Sequence, residues 1–271
     1  MFLVTGANGQ LGSELKKILT KDQALFVNRS QLDITDRNAV NNIICKNRFD
    51  FIINCAAYTA VDRAEEEKKT AHNVNVVGAQ NLAETGVPIV HISTDYVFDG
   101  TNFRPYTEND NPNPLSVYGK TKLESEKVVW KTSETAIIIR ASWIHSKYGN
   151  NFVKTILQLA SERKEIRVVS DQIGTPTAAS DLAWAIVQII PQIAHGAKDI
   201  YHFSNEGACS WYDFAISIVK NANLKCKVIP INSADYPRKA VRPFYSVLNK
   251  GKIKRDFRIG IRHWEKGIEN E

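Results

Sequence analysis

The 271-residue chain predicts an α/β fold, a doubly wound parallel sheet with a smaller C-terminal lobe, and three observations carry that expectation. An apolar run at the start ends in a glycine-rich turn and passes into a helix-periodic segment. Four or five short apolar runs then alternate with helical patterns to about residue 144, the order that builds parallel strands joined by right-handed crossovers. The run from Phe51 to Cys55 is broken only by Asn54, as expected of a strand covered on both faces.

Met1 to Thr5 forms the first strand, Gly6-Ala7-Asn8-Gly9-Gln10-Leu11-Gly12 the turn, and Leu11, Leu15, Ile18 and Leu19 the apolar stripe of the following helix. Glycines at such a turn let the backbone approach a phosphate, and the helix N-terminus adds N–H groups and partial positive charge, so the stretch marks a dinucleotide site. Its spacing is G-x-x-G-x-x-G rather than the commoner G-x-G-x-x-G. Ala24 to Val27 is the second strand, followed by Asn28-Arg29-Ser30. An acidic residue here would bind ribose hydroxyls, whereas an arginine accommodates a 2′-phosphate. Arg29 therefore tilts the expected cofactor towards NADPH over NADH, the plain alternative being a solvated loop arginine. Asp36 is the expected cap of a helix carrying Val40, Ile43 and Ile44.

After the third strand, the small residues of Ala56-Ala57-Tyr58-Thr59 leave room for a cofactor across the strand end, and Glu65 to Lys69 reads as a solvated helix face. Val87 to Ser93 is the fourth strand and delivers Ser93-Thr94-Asp95-Tyr96 at its carboxyl end, where open α/β sheets place ligands. Thr94 is a candidate donor to a substrate oxygen, or else a turn hydroxyl. Asp99 to Pro114 is a loop, and Ala136 to Ala141 is the next strand. Beyond Ser142 the pattern predicts a helix from about Asn151 to Glu162, a short strand near Arg167 to Val169, the Asp171-to-Thr177 loop, a helix from about Ser180 to Gln192, and an edge strand at Asp199 to Ser204. Residues 1–144 with strand 199–204 make the expected dinucleotide-binding domain; 145–198 and 205–271 make the lobe.

The most informative stretch is Val117 to Lys127, which sets Tyr118 and Lys122 four residues apart on an expected helix and so on one face, with Lys120 facing away. An ammonium near a phenol favours the phenolate and lowers a pKa of about 10, giving an acid able to protonate a carbonyl oxygen near neutral pH. That chemistry suits carbonyl reduction. The plain alternative is an amphipathic helix with a packed tyrosine and solvated lysines.

Hydrophobic content of 43% and charged content of 24% are those of a globular chain. Phe2-Leu3-Val4 is too short for a signal core and no apolar run approaches the ~20 residues that span a bilayer, so the chain is expected to be cytoplasmic with no membrane partner. Cys45, Cys55, Cys209 and Cys226 lack metal spacing and are expected to be reduced. The net charge of +6 is concentrated: from Lys225 to Glu271 there are 12 Lys+Arg against 5 Asp+Glu, leaving −1 for the first 224 residues. Without a zinc-finger spacing, an RNP motif or a compact basic run, nucleic acid is not the expected partner. The excess suits a diphosphate-bearing small molecule instead, and Arg242 is the arginine expected to face it.

These pieces resemble the extended short-chain dehydrogenase/reductases, with a Rossmann-like sheet, and among them the dTDP-4-dehydrorhamnose reductases. The resemblance covers almost the whole chain: TGANGQLG at Thr5, LDITD at Leu32, NCAAYTAVDRAE at Asn54, STDYVFDG at Ser93, VYGKTK at Val117, RASWI at Arg140, DQIGTPT at Asp171 and RPFYSVLN at Arg242. It implies that the lobe binds substrate. It also implies a cofactor pyrophosphate on Gly6, Gly9, Gln10, Leu11 and Gly12, adenosine contacts from Arg29, Asp33 and Ile34, and Ala57, Tyr58 and Thr59 along the nicotinamide side. Hydride would reach C4 of a 4-keto-6-deoxy-L-sugar carried by dTDP while Tyr118 protonates the alkoxide. Lys122 would hold the nicotinamide ribose and depress the Tyr118 pKa, Thr94 would hydrogen-bond the carbonyl oxygen, and Asp95 and Trp143 would touch the sugar nucleotide.

Two departures qualify the match. Similar proteins often carry Gly where this helix has Ser125. Some relatives hold magnesium between subunits on glutamates in a homodimer; Glu14 and Glu265 match two of those positions, but the third falls near Ser180-Asp181, so the ligand set is incomplete and no metal residue is assigned. A 4,6-dehydratase or epimerase would share Tyr118 and Lys122, but dehydratases resemble Thr-Asp-Glu where this chain has Thr94-Asp95-Tyr96. A non-catalytic NADP-binding regulatory subunit would keep the same fold and pocket.

Overall fold

A computed structural model describes residues 1–268. Its central sheet has six strands, all paired in parallel. In chain order they are β1 (Phe2–Thr5), β2 (Ala24–Val27), β3 (Phe51–Asn54), β4 (Ile89–Thr94), β5 (Ala136–Ala141) and a sixth strand, Lys198–Phe203. Across the sheet the order runs from the sixth strand through β5, β4, β3 and β1 to β2 at the other edge. The direction of winding reverses between β1 and β3, and open α/β sheets bind ligands at such a reversal, beyond the carboxyl ends of the strands.

Helices cover both faces, which is why β4 and β5 are buried along all six of their residues. On one face Gln10–Ile18 packs against Ala179–Ile189, and Leu15, Ile53, Ile137, Leu182, Ile186 and Phe203 share one core. On the other, Leu3, Val40, Ile52, Leu82, Ile89 and Val129 form a second. Asp36 caps the helix Arg37–Lys46, its Oδ1 accepting from the N–H groups of Asn38 (2.9 Å) and Ala39 (3.1 Å). The segment expected to be a solvated helix face is broken into Val61–Ala64 and Lys68–His72, followed by a π-helical turn at Asn73–Val77. That turn presents Asn75 inward, where it accepts from the Tyr58 N–H (2.8 Å) and donates to the Tyr58 carbonyl (3.2 Å) and the Thr121 hydroxyl (3.0 Å).

Register places two polar rows across the sheet, Thr5 beside Asn54 beside His91, and Ser93 beside Arg140 beside His202. Both lie beneath the helix Val117–Thr132. Ser93 and Arg140 bond Glu126, Arg140 as a two-pronged pair at 2.9 and 2.7 Å, with both charged side chains almost wholly buried. Burial and the Arg140 charge push His202 down to about 3, so that histidine is neutral.

The smaller lobe pairs Glu165–Val169 with Lys227–Ile231 in parallel and closes a core of Ile156, Ile166, Phe214, Ile218 and Trp264 beneath the helices Phe152–Glu162 and Trp211–Asn221. The helix Ala179–Ile189, grouped by sequence with this lobe, instead packs into the main core. So does Gly251–Phe257, through Ile253 and Phe257. Among the described residues no helix is long and apolar enough to cross a membrane.

Candidate active site

The turn after β1 is shaped by what it lacks. Gly6 sits at φ +66°, where a Cβ would lie 2.7 Å from the Ala56 nitrogen and the Cys55 carbonyl carbon. A Cβ on Gly12 would lie 2.5 Å from the Gly6 oxygen, so that glycine lets the helix close onto the turn. Gly9 donates to the Gly6 carbonyl at 2.9 Å and precedes the first helical residue, Gln10. This cradle of open backbone at a helix N-terminus fits a pyrophosphate.

From the cradle a groove of about 300 Å³ runs past Asn28, Arg29, Asp33, Ile34, Ala57 and Tyr58. Arg29 is 80% exposed, with its Nε 3.8 Å from Asp33, so its guanidinium is free to meet an anion. Bonds from the Thr35 N–H (3.0 Å) and hydroxyl (2.8 Å) hold the Asp33 carboxyl below the usual range. Tyr58 donates its hydroxyl to Glu67 at 2.8 Å.

Sharing Gly9, Cys55 and Ala57 with that groove is a cavity of about 590 Å³, whose walls include Gln10, Leu11, Thr59, Thr94, Asp95, Tyr118, Lys122 and Trp143. Ser116 starts the tyrosine helix by accepting from the Gly119 N–H at 3.1 Å. Gly119 is required because a Cβ there would meet the Tyr96 carbonyl at 2.2 Å. Lys122 is 2% exposed and donates to the Ile92 carbonyl at 2.7 Å. Burial brings it down to about 8, against the opposing pull of Glu126 and Cys55.

The expected effect of Lys122 on Tyr118 is not what the geometry gives. Burial pushes the phenol up to about 12, the Thr94 hydroxyl draws it back, and the Asp95 charge adds to the rise. The ammonium is bonded to β4 rather than to the phenol. Thr94 plays the turn-hydroxyl part, accepting from the Tyr96 N–H at 3.2 Å, and also donates to Asp95 at 3.1 Å. Asp95 is 2% exposed, and burial raises its carboxyl to about 7 despite bonds from Ser246 and Thr94.

Trp143 occupies the left-handed region at φ +47° and stacks on Trp211 with ring centres 3.5 Å apart and planes 9° off parallel. Gly174 makes room, since a Cβ there would meet the Trp143 ring at 2.5 Å. Arg242 does not line the cavity that holds Tyr118. Its guanidinium forks onto Asp62 at 3.0 and 2.8 Å and lines a neighbouring pocket of about 330 Å³ with Arg167, Arg238 and Tyr236. Tyr96, Phe152 and Trp211 face both spaces. Of these, Trp211 had no signal in the sequence and Asp62 stood only inside the NCAAYTAVDRAE block with no role attached, because each reaches the site through tertiary packing.

Among the described residues no three His, Cys, Asp or Glu side chains are grouped to hold a metal ion. Glu14 bonds Lys17 (2.6 Å) and Ser146 (3.0 Å), Asp181 bonds Arg262 (2.7 Å), and Glu265 lies 3.5 Å from His263.

A family model described as the RmlD substrate binding domain matches residues 1–270. A dTDP-4-dehydrorhamnose reductase of Aggregatibacter actinomycetemcomitans is 45% identical, with 99% of this chain and 97% of that one aligned. The spore coat polysaccharide biosynthesis protein SpsK of Bacillus subtilis is 39% identical over 98% and 94%. The crystal structure of dTDP-4-dehydrorhamnose reductase from Bacillus anthracis in complex with NADP superposes with a TM-score of 0.94 at 40% identity, covering 99% of this chain and 96% of that one. With the cradle, the groove and the tyrosine cavity in one continuous cleft, and with similarity along essentially its whole length, the chain belongs to the dTDP-4-dehydrorhamnose reductase family.

Proposed function

We propose that the chain reduces the C4 ketone of dTDP-4-dehydro-L-rhamnose to dTDP-L-rhamnose with NADPH, in nucleotide-sugar biosynthesis for surface polysaccharide. The observation that carries this reading is the enclosure of Tyr118, Thr94 and Lys122 in a cavity that opens directly onto the glycine cradle. When bound, NADPH supplies the hydride that reaches the ketone carbon.

The chain's own residues do the rest. Gly6, Gly9, Gln10, Leu11 and Gly12 form the turn that receives the pyrophosphate, and Arg29 meets the 2′-phosphate beside Asp33 and Ile34. Ala57, Tyr58 and Thr59 border the nicotinamide side. With its phenol near 12, Tyr118 is fully protonated at neutral pH and holds the proton that a new alkoxide, a much stronger base, will take. Thr94, its single hydroxyl proton turned from Asp95 to the substrate, steadies the developing negative charge at the same oxygen. One N–H of Lys122 is committed to the Ile92 carbonyl, leaving others for the ribose hydroxyls. Asp95 and Trp143 contact the sugar, and the three arginines of the adjoining pocket suit the diphosphate, Arg242 among them once its fork on Asp62 is shared.

Oxidation of NADPH with dTDP-4-dehydrorhamnose, followed at 340 nm, tests the reading directly. Tyr118→Phe is expected to lower turnover by about 10²- to 10⁴-fold with little change in NADPH affinity. Near-normal turnover in that variant would assign the proton to another group.

A further inference from the structure

We propose that His91 is the positioning residue for Lys122, and that the sheet locks its imidazole into the tautomer protonated at Nε2 so that it cannot capture the lysine ammonium. The inference rests on the reductase reading and deepens it. Its starting point is the Ala56 N–H, which can only donate: the Asn54 side-chain atom 3.2 Å from it is therefore Oδ1, which also accepts from the Thr5 hydroxyl at 2.7 Å. Asn54 is thereby fixed with its NH2 towards His91 Nδ1, 3.0 Å away. Nδ1 must accept, so the single proton of a neutral ring resides on Nε2.

His91 is 1% exposed, and burial together with the Lys122 charge holds it well below the ordinary histidine value, so the ring is neutral. Its Nε2–H points to the Ser125 hydroxyl at 2.9 Å, and Ser125 donates onward to the Lys122 carbonyl at 2.6 Å. Every donor in the chain Thr5, Asn54, His91, Ser125 thus runs one way, ending on the backbone of Lys122. Its ammonium is 3.4 Å from His91 Nε2. An Nε2 lone pair would accept one of its protons and draw it down onto the sheet. The Nε2–H refuses it, and the ammonium keeps only its bond to Ile92 below, with the remaining protons for the cleft. Lys122 is the charged group that faces the ring; Cys55 and Glu126 act on Lys122 in turn. Ser125, completely buried, takes the place where similar proteins often carry Gly and supplies the acceptor that Nε2–H needs.

The test is nitrogen-15 NMR of histidine-labelled full-length protein combined with kinetics. The wild type should show His91 protonated at Nε2 and bare at Nδ1, unchanged from pH 6 to pH 9. Asn54→Asp, an isosteric change from donor to acceptor, should put a proton on Nδ1, weaken NADPH binding about tenfold, and lower turnover about tenfold or more with a displaced pH profile. Ser125→Ala should keep the tautomer and lose less than Asn54→Asp. An Nδ1-protonated or titrating His91 in the wild type would overturn the proposal, and that measurement stands even if Asn54→Asp fails to fold. So would an Asn54→Asp protein with the reversed tautomer but wild-type NADPH affinity and pH profile. Absence of ketosugar reduction by the wild type would remove the reductase reading alone, because the tautomer and the NADPH affinity are read without substrate.

Discussion

Replacing Lys122 by Met should make the protein more stable while abolishing most of its turnover. The wild type holds an ammonium at 2% exposure, and lowering its pKa from 10.5 to about 8 corresponds to roughly 3 kcal/mol of destabilisation carried by the charged form. Loss of the bond to the Ile92 carbonyl takes back about 1 kcal/mol. The variant should therefore gain about 2 kcal/mol at pH 7, or roughly 5 °C in Tm for a chain of this size. The sign of the pH dependence is set by the direction of the shift. A base held below its unfolded value burdens the folded state fully below pH 8, and the burden fades as pH rises towards 10.5, where the unfolded lysine also loses its proton. The gap between variant and wild type should thus be widest at pH 7 and mostly gone by pH 9.5. Differential scanning calorimetry at the two pH values reads both numbers, and staying at or above pH 7 keeps His91 neutral in either protein. A variant that melts below the wild type at pH 7, or a gap that does not narrow with pH, would refute the claim that this site carries a buried, energetically costly charge.

Two further outcomes follow from the same geometry. Arg29→Ala should weaken NADPH about tenfold and NADH much less, since the mostly exposed guanidinium has only the 2′-phosphate to distinguish the two; equal losses in fluorescence titrations would take that role from it. Glu126→Ala leaves Arg140 charged and unpaired under the helix, and urea denaturation should show a loss of about 3–5 kcal/mol, most of it recovered in Glu126→Leu/Arg140→Met. A loss below 1 kcal/mol for the single variant would show that water reaches the pair.

What could be read from the sequence was what is local. The glycine turn was legible because a positive φ at Gly6 and close contacts at Gly12 leave no other residue that fits. Tyr118 and Lys122 were legible as neighbours because helical spacing is rigid. Which way Lys122 reaches was not, because its ammonium is captured by a carbonyl on β4, thirty residues earlier in the chain. A helix from about Ser180 to Gln192 was expected, but its pattern says nothing about which core buries it, and Ala179–Ile189 joined the main sheet rather than the lobe. Arg242 was found from a surplus of charge, and a tally of charges contains no partner; Asp62 lies 180 positions away. The row Thr5, Asn54, His91 shows in the sequence only as three polar residues in apolar strands, and becomes a hydrogen-bonded chain when β1, β3 and β4 come into register.

The groove beside the glycine cradle is lined entirely from within the first 74 positions, whereas the walls of the tyrosine cavity are collected from residue 9 to residue 211. On the proposed assignment of the two spaces, cofactor choice is written in one contiguous passage and substrate choice is dispersed. A chimera that exchanges only residues 24–36, which line the groove but not the cavity, with those of a relative should inherit the relative's preference between the two dinucleotides and keep its own taste in sugars, so the two specificities can be changed separately.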